Sequence, residues 1–92
     1  MATVPQIAAH LRLELEDQWR ERVMSAQSEF DLAVAQFRAA LEDRRNWQLR
    51  APDGSAAIRH ARLRESAARG EYARVLGIFS ELLIHGTIPD ER

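Results

Sequence analysis

Apolar residues recur along this chain with a helical rhythm. Ile58, Ala61, Glu65, Ala68, Tyr72, Val75, Phe79 and Leu82 are spaced alternately by three and four, which makes a heptad seam with one charged member. Val23, Ala26, Phe30, Ala33, Phe37 and Ala40 keep the same alternation in the first half. No segment shows the period of two that a half-buried strand requires. Between Gln6 and Ala51 there is no glycine or proline, and then Ala51-Pro52-Asp53-Gly54-Ser55 supplies the strongest turn signal in the chain. Pro52 disfavours helical geometry at Ala51, Gly54 can take a positive φ, and Ser55 can cap a second helix. Gly86 is placed for a left-handed C-cap, Pro89 prevents resumption, and Ile88 is expected to fold back against Leu82 or Leu83. The pattern predicts an all-α fold: a long antiparallel hairpin with a helix over about 4–50, a turn at 51–55 and a helix over about 56–85, all within one domain of residues 1–92.

A turn centred on Asp53 puts residues level where their numbers sum to about 106, so Ile84 falls opposite Arg22. The stretch from Val4 to Arg20, about 25 Å of helix, then overhangs the second helix. It carries Ile7, Leu11, Leu15 and Trp19, which step by four and drift round the helix. Either a second chain covers this stripe or the first helix breaks near Ser25 to Ser28, with Ser28 capping and Asp31 at the third position, to give a three-helix bundle. Serine without glycine or proline is a weak breaker, which favours one continuous helix.

The end of the second helix also asks for company. Val75, Leu76, Ile78, Phe79, Leu82, Leu83 and Ile84 cover too wide an arc for a helix buried on one side only. Ser66, Gly70, Ala73, Gly77 and Ser80 form a strip of small residues opposite the heptad seam, and two interior glycines each cost a helix about 1 kcal/mol relative to alanine. A homodimer that forms a four-helix bundle answers both features, with Ile7, Leu11, Leu15, Trp19, Gly70, Ala73, Gly77, Ile78 and Ile84 at the interface. A partner protein's helix is the other occupant such a surface would take.

Composition adds little to this until it is divided along the chain. The 92 residues hold 13 basic and 14 acidic groups, every basic residue is arginine, and alanine, leucine, arginine and glutamate favour helix. Near-neutrality hides polarity. Residues 1–43 carry eight acids and four arginines, residues 44–74 carry eight arginines and three acids, and residues 75–92 carry three acids and one arginine. The basic section gathers Arg44, Arg45, Arg59, Arg62 and Arg64 near Trp47 at the hairpin tip, where arginines beside an aromatic can grip a phosphate or stack on a base. Arg44 and Arg45 also answer the negative end of the first helix, whereas Arg59, Arg62 and Arg64 lie near a positive helix end. A net charge of −1 and the lack of any nucleic-acid-binding signature weigh against nucleic acid, which stands as the alternative reading.

Candidate chemistry is sparse. His10 with Glu14 and Glu81 with His85 each share a helix face, but hairpin geometry keeps the pairs apart, so no metal site is expected. There is no cysteine, no phosphate-binding glycine loop and no nucleophile elbow, so neither catalysis nor a cofactor is expected. Glu65, a charge in the seam, is expected to pair with Arg62 or Arg69 or to set helix register. Trp47 is expected to cover the hairpin end with Leu49 and Ile58. No run reaches the ~20 apolar residues of a membrane span, and no signal core opens the chain, which predicts a cytoplasmic interaction or assembly module.

Overall fold

The structure, a computed structural model, describes the backbone of residues 4–47 and 53–89 and the side chains of residues 9–45 and 55–89. Two helices, α1 (Val4–Trp47) and α2 (Asp53–His85), pack antiparallel into a rod of 70 × 19 × 17 Å. Its length is that of α1 itself, since 44 helical residues rise about 66 Å. Ser25 to Ser28 lie inside α1, and no break forms there. Without glycine or proline, nothing in that stretch outweighs the continuing hydrogen bonds, so the three-helix alternative is not adopted.

The two heptad seams meet as their spacing requires. Trp19, Ala26, Ala33, Ile58, Ala61, Val75 and Leu82 are buried, and the rings of Phe30 and Tyr72 sit 6.0 Å apart between the helices. Most of this core is thin because alanine supplies much of it. The dense part is at the open end, where Leu15, Val23, Ile78 and Phe79 pack round Trp19, Val75 and Leu82.

The register departs from expectation. Phe30 meets Tyr72, Gln36 meets Arg64, Phe37 meets Arg62 and Arg20 meets Phe79, so level residue numbers sum to about 100 instead of 106. The cause lies at the start of α2. Asp53, Gly54 and Ser55 are helical rather than part of a turn, so α2 begins three residues earlier than expected. The helix therefore begins two residues before the cap expected at Ser55. The positive φ belongs to Gly86, at 67°, not to Gly54. Residues 48–52 and the Trp47 side chain, with its expected cover over the hairpin end, lie outside the described residues.

The new register corrects the overhang. His85 falls level with about residue 15, so uncovered helix ends near Leu15 instead of Arg20. Trp19 is only 3% exposed and Leu15 is half-buried, both within the chain's own core. About 16 Å of α1 projects beyond α2.

Gly86 closes α2 as predicted: its N–H donates to the Leu82 carbonyl at 3.0 Å, in the left-handed cap geometry. Arg12 completes that end from the other helix. Its Nη2 donates to the carbonyls of Leu83 at 2.9 Å and Leu82 at 3.2 Å, while its Nε donates to Glu16. A cation among the last carbonyls of a helix answers both their unmet hydrogen bonding and the negative helix end. Arg12→Ala is therefore expected to cost about 1 kcal/mol and to speed amide exchange in the last turn of α2. Lysine at position 12, which keeps the charge without the fork, should recover only part of it. Ile88 lines a groove with Leu82 but stays 73% exposed, so the expected fold-back contact is a groove wall and not a buried cap.

Candidate functional site

The residues that pack the hairpin leave a second set of apolar side chains in solvent. On α2, Leu63 and Ile84 are 63% and 71% exposed, and Leu76 and Leu83 stand beside them about 40% exposed. Between the first two run Ser66, Gly70, Ala73 and Gly77, all exposed, and half-buried Ser80. The close approach that glycine permits is not made within the chain, since a Cβ added at Gly70 or Gly77 would meet nothing within 4 Å. Ser80 donates its hydroxyl hydrogen to the Leu76 carbonyl at 2.8 Å, so this polar group is satisfied on its own helix. The face is apolar in character despite its two serines.

Of the nine interface residues named from the sequence, the eight with described side chains divide three ways. Gly70, Ala73, Gly77 and Ile84 lie on this exposed outer face. Trp19, Leu15 and Ile78 belong to the intrachain cluster, because the shifted register slides α2 under them. Leu11, 53% exposed, remains on the projecting end of α1 and walls an open groove with Leu15, Leu82 and Ile88. The Ile7 side chain lies outside the described residues. Leu63 was missed, although it lies three residues before Ser66 and continues the strip's own spacing.

At the tip, Arg44, Arg45 and Arg59 are exposed. Arg62 and Arg64 are exposed too, while Arg62 lies over the Phe37 ring at 5.7 Å and Arg64 donates to the Gln36 amide oxygen at 3.4 Å. Both reach across to α1, so two of the five arginines named at the tip help hold the helices together. At the open end Arg20 of α1 approaches Phe79 of α2 at 5.8 Å, and within α1 Arg22 covers Trp19 at 4.3 Å.

Glu65 is buried in the seam and takes Arg69, not Arg62, as its partner. The Arg69 Nε donates to it at 3.0 Å, and that hydrogen bond, with the charge of Glu65, raises the guanidinium pKa. On the surface, Arg74 donates to Glu71 at 2.6 and 3.0 Å and lowers the carboxyl pKa. A carboxyl lowered on folding adds stability at neutral pH, and the contribution is lost as pH falls through its lowered value. His10 and Glu14 are 3.2 Å apart and His85 and Glu81 4.0 Å, all on the surface. Among the described residues no three His, Cys, Asp or Glu side chains converge, and no helix is long and apolar enough to cross a membrane.

Comparison with known protein families, curated proteins and solved structures returned no match.

Proposed function

We propose that this chain is a non-enzymatic helical interaction or assembly module, working by laying an uncovered apolar helix face against another helix, in a homodimer or on a partner chain. The support is an imbalance between core and surface. The chain exposes 7323 Å² at a mass of 10.5 kDa, where a compact folded monomer of that mass exposes about 5,400 Å². Two such chains carry a surplus of about 3,800 Å², within the roughly 2,000–5,000 Å² that obligate dimers bury. Rod shape accounts for much of the area, but not for its chemistry. Leu11, Leu13, Leu63, Leu76, Leu83 and Ile84 are all exposed by 40% or more, while alanine fills much of the core. Light scattering or sedimentation of the purified chain at micromolar concentration is expected to give twice the chain mass. A monomer at every concentration, retaining no protein from a lysate, would overturn the reading.

A second reading, binding of nucleic acid or another polyanion, rests on the exposed Arg44, Arg45 and Arg59 at the tip. It requires a salt-dependent mobility shift that Arg44→Ala with Arg59→Ala abolishes. No binding to DNA or RNA at low salt would remove it.

A further inference from the structure

The outer face of α2 is a second seam, and its residue types read nearly the same in both directions. Leu63, Ser66, Gly70, Ala73, Gly77, Ser80 and Ile84 are spaced by three and four alternately, a large aliphatic at each end, then serines, then glycines about a central alanine. A surface that pairs with its own copy about a two-fold axis must be complementary to its own reversed order, because each residue meets the mate of the residue that meets it, and small residues reflected onto small residues meet that requirement at close approach. Turned end for end beside Ala73, Leu63 comes level with Ile84 of the second copy, Ser66 with Ser80 and Gly70 with Gly77. Small residues then face small residues, and the helix axes can approach to the near end of the usual 8–10 Å.

Two independent features select the same arrangement. In the observed register Ala73 is level with about residue 27 of α1, close to the midpoint of Val4–Trp47, so a dyad there overlaps the two 70 Å rods along their whole length. Charge agrees. Among the described side chains, residues 26–45 and 55–74, toward the tip, carry eight arginines and six acids, whereas residues 9–25 and 75–89 carry three arginines and five acids. Antiparallel pairing lays each half beside the opposite half of the other copy, and parallel pairing would set like against like. Arg74, which flanks the seam near the dyad, already has its charge answered by Glu71 of its own chain. Ile88 and Pro89 wall a groove beside Ala73 and Gly77 while leaving Gly77 open.

We propose that two copies of this chain pair antiparallel through the outer face of α2, about a two-fold axis beside Ala73, giving a four-helix assembly with the α2 helices at its centre. The proposal rests on reading the chain as an interaction module, and it commits that reading to one partner and one face. The chain has no cysteine, so single cysteines report position directly. A mixture of Gly70→Cys and Gly77→Cys chains is expected to oxidise to a mixed disulfide in high yield, with little self-linking by either alone, since bridging needs Cα atoms within about 7 Å. Gly77→Leu should keep its helicity and weaken dimerisation by about tenfold or more, because the added side chain has open space in the single chain and none in the paired seam. A dimer that self-links through Gly70→Cys, or that Gly77→Leu leaves intact, overturns this pairing while leaving the module reading in place. A wild-type chain that stays monomeric overturns the pairing by itself, before any cysteine is introduced.

Discussion

Trp19→Ala is expected to remove about 3–5 kcal/mol of stability, a large part of what a chain of this size holds, roughly 5–14 kcal/mol. Trp19 is 3% exposed and is the largest side chain in the cluster with Val75 and Leu82, with four half-buried side chains packed round it and the Arg22 guanidinium 4.3 Å above its ring. The rest of the seam has no comparable mass to take over, since Ala26, Ala33 and Ala61 fill much of it. Urea denaturation monitored by circular dichroism measures the loss, with chain concentration held constant so that any coupled association is the same in each variant. Leu41→Ala is the control: Leu41 is 41% exposed, and its loss should stay below about 1 kcal/mol. Equal costs for the two variants would show that the open-end cluster is not the core. In a Trp47→Phe variant the remaining emission, from Trp19, should be blue-shifted and poorly quenched by iodide.

Glu65→Leu is expected to act in the opposite direction, raising stability by about 1–3 kcal/mol. Glu65 is 7% exposed in the middle of an apolar seam, and its partner Arg69 reaches it from a largely exposed position on the next turn of the same helix. A short-range pair on one helix adds little to the contact between helices, so the carboxylate costs desolvation where a leucine would pack against α1. Arg69→Ala, which removes the hydrogen bonds and leaves the carboxylate in the seam, should lower stability. Thermal melts of the two variants beside the parent separate these effects. If Glu65→Leu melts lower than the parent, the ion pair stabilises the hairpin and the desolvation account fails. The same variant tests register, because a charge that must stay near the edge of the seam penalises sliding. Amide exchange along α2 should become less uniform in Glu65→Leu if the charge holds the helices in step.

Much of this architecture is local and therefore legible along the chain. The heptad spacing from Val23 to Ala40 and from Ile58 to Leu82 identifies the buried stripes, and the long absence of glycine and proline keeps α1 whole through Ser25 to Ser28. Gly86 ends α2 in the left-handed geometry its position implied. The strip from Ser66 to Ser80 is a matter of spacing too, and it stands in solvent on the side away from the seam. Each of these depends on residues within a turn or two of one another, where propensity and periodicity act.

What only the tertiary structure decided is how far one helix slides along the other. A shift of about six in the level sum, from a helix that starts at Asp53, takes Trp19 from an uncovered end into the densest part of the core and turns Arg62 and Arg64 onto Phe37 and Gln36. A heptad pattern repeats every seven residues and is nearly indifferent to such a slide, so spacing names the face without naming the partner across it. Arg12 makes the same point over 70 residues of chain: nothing beside it in the sequence marks it as the group that closes the end of α2, and packing alone brings it to the carbonyls of Leu82 and Leu83. Periodicity determined two helices and their faces; the fit of large side chains between them determined the register, and with it which apolar side chains were left in solvent.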